Sequence, residues 1–161
     1  MPLNAQIMLS ILAHETSTGD LSKTLRATPA SYALTLTDGT GANQAQIVWS
    51  FSGAFDGEYF FGGEDFTDFT DSRGNVNFSA IKTIYIKNTG ATPFSTMSKI
   101  DWETGPNVTP GSGGIEVKPG AVLFMCRSDA TGWSTAGGYL GVSSDTNGSC
   151  ELVLIGEGTI T

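Results

Sequence analysis

The first residues of the chain alternate. Leu3, Ala5, Ile7, Leu9, Ile11 and Ala13 recur at every second position, the period of a strand with one covered face. Leu3, Ile7, Met8, Ile11 and Leu12 also fit one side of a helix, so both readings stand, with the strand favoured. Residues 1–30 are expected to form a first strand or an extended N-terminal arm. Tyr32, Leu34 and Leu36 then share a face, Asp38-Gly39 and Gly41 supply turn residues, and Ile47, Trp49 and Phe51 alternate again.

The segment "EYFFGGEDFTDFTDSRGNVNF" predicts a strand pair turning at Asp71-Ser72-Arg73-Gly74. "AIKTIYIKNTG" is the clearest strand, β-branched and aromatic, closing at Asn88 and Gly90. Prolines and glycines break up "TPFSTMSKIDWETGPNVTPGSGG", leaving room for a short strand around Lys99 to Trp102 and then a loop. Two further strands are expected at about Gly114 to Val117 and Ala121 to Cys126, and "ELVLIGEG" is the last. No long helical pattern and no linker is found. Many short strands separated by turns predict one all-β domain over 1–161, a β-sandwich of jelly-roll-like form.

Between two of these strands lies Lys118-Pro119-Gly120, followed after the apolar run by Arg127 and Asp-Ala-Thr-Gly. Proline fixes φ and glycine permits positive φ, so the triplet reads as a corner feeding a buried strand before it reads as a ligand site.

Composition narrows the function. The 161 residues carry a net charge of -8, with 21 glycines and a charged fraction of 15%. An acidic chain repels a phosphate backbone, and no polybasic patch faces a membrane, so neither nucleic acid nor membrane is an expected partner. No apolar run approaches the ~20 residues needed to span a bilayer. The N-terminus lacks the positive region of a signal peptide, which points to synthesis in a cytoplasm. Cys126 and Cys150 sit in apolar strand runs and read first as buried reduced thiols, second as a bridge between paired strands. With His14 alone they make no zinc site.

Catalytic patterns are missing. His14 has no nucleophile-elbow sequence to work with, there is no Walker loop, and "GSGG" at 111–114 reads as a flexible loop. Asp56, Glu58, Glu64, Asp65, Asp68 and Asp71 could offer oxygens to a hard cation or a glycosidase pair. Their spacing is not an EF-hand, and steps of three along a strand diverge, so a solvated acidic rim is the plainer reading. The chain is therefore read as a non-enzyme with no cofactor and no metal. Phe60, Phe61, Phe66 and Phe69 crowd one segment. Core packing is the default for phenylalanine; as an exposed group they would form the apolar centre of a protein interface, with Asp65 and Asp68 on its rim.

Four stretches, "GANQAQIVWS", "TDSRGNVNFSAIKTIYIKN", "IEVKPGAVLFMCRSDATGW" and "CELVLIGEG", occur in that order. Together they resemble a group of small β-rich virion proteins encoded by tailed bacteriophages. The shared features are turn and strand signatures and transfer no catalytic residue. The segment "FSGAFDGEYFFGGEDFTD" departs from the group's plainer strand, and the first forty residues lie outside the resemblance. It implies a capsid decoration (cement) protein on the outer capsid surface of the virion, bound to the major capsid protein and assembled as a homotrimer. The alternative is a tail or fibre-associated module binding a host surface carbohydrate, which an exposed Trp102 or Trp133 would favour.

Overall fold

The structure is a computed structural model describing residues 2–11, 14–16, 24–26, 30–99 and 115–161. In chain order the first strands are β1 (Asn4–Ile11), β2 (His14–Thr16), β3 (Thr24–Arg26), β4 (Ala30–Asp38) and β5 (Gln44–Ala45). Next come β6 (Ile47–Phe55), β7 (Glu58–Phe61), a single 3-10 turn at Glu64–Phe66, β8 (Phe69–Asp71) and β9 (Gly74–Asn88). The last are β10 (Phe94–Lys99), β11 (Glu116–Val117), β12 (Val122–Cys126), β13 (Trp133–Ser134), β14 (Tyr139–Ser143) and β15 (Gly148–Ile160).

The centre is a six-stranded antiparallel sheet ordered β12-β9-β15-β6, with β8 and β13 also paired to β9. Its inner face packs on a four-stranded sheet ordered β11-β10-β14-β7. One continuous core joins them, from Trp49, Ile84, Ile86, Leu152 and Leu154 on the first sheet to Phe61, Phe94, Leu140 and Val142 on the second. This is an all-β sandwich, as the strand pattern predicts. Aromatic rings fill one end: Trp49 meets Phe69 at 4.8 Å and 67°, and Phe69 meets Phe78 at 5.6 Å and 87°. Both are edge-to-face arrangements that add to simple burial. The indole of Trp49 keeps its polar atom satisfied by donating to the Thr70 carbonyl at 3.1 Å.

A third layer lies on the opposite face of the central sheet. Strands β1 and β4 pair antiparallel along their whole length, Asn4 opposite Thr37 and Ile11 opposite Ala30, with β5 adding a short parallel edge. This ribbon packs Leu3, Ala5, Ile7, Leu34 and Leu36 against Val48, Val153 and Ile155. The central sheet is thus apolar on both faces. Along β15, Cys150, Leu152 and Leu154 enter the inner core while Val153 and Ile155 enter the outer one. That is why "ELVLI" reads as an unbroken apolar run, as doubly buried strands do.

The predicted turn at Asp71–Gly74 is present, with Asp71 paired to Gly74. Arg73 clamps it, reaching Asp71 Oδ2 at 2.5 Å and donating to the Val48 carbonyl at 2.5 Å. A strand is present over Phe94–Lys99; the one expected around Lys99 to Trp102 falls, past Lys99, on residues 100–114, which with Trp102 and the 111–114 glycines lie outside the described residues. Strand β14 lies within "TAGGYLGVSSD", a segment to which the sequence pattern assigned no element. Gly141 is there for space: a Cβ would stand 3.0 Å from the Phe60 ring and 3.0 Å from the Tyr59 carbonyl.

Candidate interaction surface

The four phenylalanines expected as an interface do not share a surface. Strand β7 alternates, so Phe61 turns inward and is 3% exposed while Phe60 turns outward and is 47% exposed. Beyond it, Asp65, Phe66 and Asp68 all take left-handed backbone angles, with φ of 59°, 54° and 59°. This tight path swings Phe66 into the core, and Phe69 follows on β8; both are buried. Phe61, Phe66 and Phe69 therefore hold the sandwich together and are unavailable to a partner. Asp65 and Asp68 are exposed but already engaged in the turn. The Asp65 carboxylate accepts from the Gly137 backbone, and the Asp68 backbone donates to Asn77 Oδ1 at 2.8 Å. Phe60 alone keeps a free ring, edge-on to Tyr139 at 5.6 Å, above a shallow pocket of about 350 Å³ that Glu64 also lines. Trp133 is buried in the inner core, so it offers no platform to a sugar.

Lys118-Pro119-Gly120 is a corner. The Ala121 backbone donates to the Lys118 carbonyl at 2.8 Å, and Gly120 has φ +76°. Proline then positive-φ glycine is the pairing a type II turn requires. Arg127 is used structurally as well. It pairs with the Asp129 carboxylate, which also accepts from the Thr131 backbone at 3.0 Å, the Thr131 hydroxyl at 2.9 Å and the Gly132 backbone at 2.8 Å. The hydrogen bond from Arg127, with those from Gly132 and Thr131, holds the Asp129 carboxyl well below the usual carboxylate range.

Beneath this loop lies Lys82, fully buried. A register shift in the β9–β15 pairing leaves it opposite no β15 residue, between Ile81 opposite Gly156 and Thr83 opposite Ile155. Such a bulge re-aims a side chain. The Lys82 ammonium donates to the Asp129 carbonyl at 2.5 Å and lies 3.0 Å from Glu157 Oε1. The second contact is an ion pair without hydrogen-bond alignment, since that oxygen has no hydrogen-bond partner. The pattern "AIKTIYIK" hid this residue, because a lysine on a strand is usually solvated.

Both cysteines are free: Cys150 is buried and Cys126 half-buried. They sit on opposite flanks of β9, facing Asn88 and Thr83, five positions apart along it. Burial pushes the Cys150 thiol up to about 11. Cys126 lies 3.4 Å from the Thr83 hydroxyl and 3.6 Å from that of Tyr32, tying the outer ribbon to β12. Among the described residues no three His, Cys, Asp or Glu side chains come together as a metal site.

Among the described residues there is also an apolar surface that sequence reasoning missed. The outer ribbon covers part of the central sheet and leaves a groove of about 410 Å³ beside β1. Gln6, Ile7, Met8 and Leu9 form its wall; Thr83, Tyr85, Val122, Phe124, Val153 and Ile155 form its floor. Around it Met8 is 83% exposed, Leu9 46%, Ile11 57% and Val122 52%. The alternation of β1 shows an apolar face but not that the face overhangs its support. Comparison with protein-family models, with curated proteins and with solved structures finds no match.

Proposed function

We propose that this chain is a structural assembly protein, and specifically a decoration protein that binds the outer surface of a bacteriophage capsid and stabilises it. The observation that supports a docking role is the apolar groove beside β1, with Met8, Leu9, Ile11 and Val122 exposed around it. A chain with a net charge of -8 keeps such residues in water at a cost, and contiguous exposed apolar patches mark surfaces that other proteins cover. The capsid assignment draws on the resemblance to tailed-phage virion proteins, and the acidic charge suits the outside of a shell better than a surface lining packaged DNA. The test is to mix the purified protein with capsids lacking it and pellet them. The protein should sediment with the shells in a fixed ratio to the major capsid protein and raise their resistance to heat. Absence of binding, or a few copies found at the tail tip of native virions, would overturn the capsid reading.

A second reading keeps the protein in the virion but gives it a saccharide to bind. It draws on Phe60 and Tyr139, which meet over the smaller pocket beside Glu64. A glycan array with wild type and Phe60→Ala decides it: sugar binding abolished by the substitution supports this reading, and an array with no signal removes it.

A further inference from the structure

The smaller pocket, on the outward face of the four-stranded sheet, is built from two rings and a carboxylate. Phe60 stands out from β7 and meets Tyr139 of β14 with their planes at 75°. The two rings thus make a corner, and each carries its partial negative charge on its faces. Gly62 and Gly63 bring no side chain, so the space beside the corner, about 350 Å³, stays open. Glu64, exposed at the start of the 3-10 turn, forms the third side. Among the described residues its carboxylate has no hydrogen bond or ion pair, whereas that of Asp65 is held by the Gly137 backbone. Glu58, two residues before Phe60 and so on the same side of β7, is exposed as well. No described basic side chain lines the pocket. Tyr139 adds a buried hydroxyl without a hydrogen-bond partner among the described residues.

We propose that this corner receives the guanidinium of an arginine side chain presented by a partner protein. Aromatic faces attract a cation laid over them, and a planar guanidinium also stacks on them. The free Glu64 carboxylate accepts its fork of donors. A further donor suits an acceptor left unsatisfied, as the Tyr139 hydroxyl is. At longer range, a chain of net charge -8 draws basic surfaces toward it. A neutral sugar fits the lining less well: apart from Glu64 and Tyr139 it holds a phenyl ring and two glycines, too few polar groups for a ring of hydroxyls. A free small cation fits less well too, because sites for small molecules enclose most of their ligand. This pocket is shallow and leaves room for a stem. The proposal deepens the docking role given above and rests on it for the partner, not for the site.

The test titrates the intact protein with a capped Gly-Arg-Gly peptide and follows the Phe60 and Tyr139 ring signals by NMR. Saturable shifts are expected, and the same peptide with neutral citrulline in place of arginine should bind roughly 10-fold more weakly. Phe60→Leu keeps apolar bulk and removes the ring; Glu64→Gln keeps shape and removes the charge. Each should weaken the arginine peptide by roughly 10-fold, read at Tyr139. Both positions are exposed, and the second variant covers the case in which the first misfolds. Equal binding of the citrulline peptide, indifference to both substitutions, or no saturable response would overturn the proposal. So would a neutral monosaccharide that binds this corner when the arginine peptide does not. An arginine peptide bound only by the Lys99→Ala protein would overturn it as well, giving the place to the chain's own lysine, which pairs in register with Tyr139. Capsid shells separate this proposal from the capsid reading. Glu64→Gln protein that pellets with shells as well as wild type would overturn the arginine contact and leave the capsid reading standing. Wild-type protein that binds the peptide but no shells would support the site and remove the capsid reading.

Discussion

The two faces of the central sheet are built from the same residue types and meet different fates. The inner face is sealed: Phe66, Phe69, Leu152 and Leu154 are essentially inaccessible, and a whole second sheet covers them. The outer face is covered by a two-stranded ribbon too narrow for it, and Val122, Phe124 and Tyr85 are left along one side. An apolar residue inside stabilises the fold, whereas the same kind of residue outside adds little until something covers it. Burial is a property of the opposite layer and not of the strand that carries the side chain.

The largest contrast should come from truncating one residue on each face. Phe69→Ala removes a ring packed against Trp49, Phe66 and Phe78 and should cost about 3–5 kcal/mol in urea unfolding. Val122→Ala, on the open face, should change monomer stability by no more than ~0.5 kcal/mol. Equal effects would mean the outer face is as well covered as the inner one.

Next in size is the buried charge. Lys82→Met leaves Glu157 beside a loop that has lost its tie and should cost about 3 kcal/mol, whereas Lys82→Met with Glu157→Gln should recover much of that loss. Urea unfolding of the single and double variants measures it. A double variant no better than the single would show that the tie to the Asp129 carbonyl carries the effect and the ion pair does not.

A smaller effect is expected at the corner. Gly120 has open space where a Cβ would stand, so Gly120→Ala tests backbone conformation alone and should cost about 1–2 kcal/mol. Lys118→Ala, fully outside, should stay within ~0.5 kcal/mol. The smallest effect concerns pH. Asp129 titrates below its unfolded value of about 3.9, so its stabilisation is present above that pH and is lost as the pH falls further. The stability gap between wild type and Asp129→Asn should therefore be constant near neutrality and close in acid; a gap that widens in acid would reverse the assignment.

Much of the fold was legible because period-two patterning reports which strands have a covered face. β9, β12, β15 and the turns at Asp71–Gly74 and Lys118–Gly120 followed from branched residues, proline and glycine. β14 did not, because Gly141 serves ring packing against Phe60 and looks identical in sequence to a turn glycine. The fate of the four phenylalanines was hidden for a related reason. Clustering in sequence put Phe60, Phe61, Phe66 and Phe69 together, yet strand alternation and the left-handed turn at Asp65 and Phe66 sent three of them inward. The groove could not be read at all, since it arises from a mismatch in width between two layers whose strands are remote in sequence.

Amide hydrogen exchange tests most directly whether the outer face is the open one. Amides of β9 and β15, between two covering layers, should be strongly protected, while the β1 amides that do not pair with β4 should exchange quickly. Protection of those β1 amides equal to that of β9 would contradict the account.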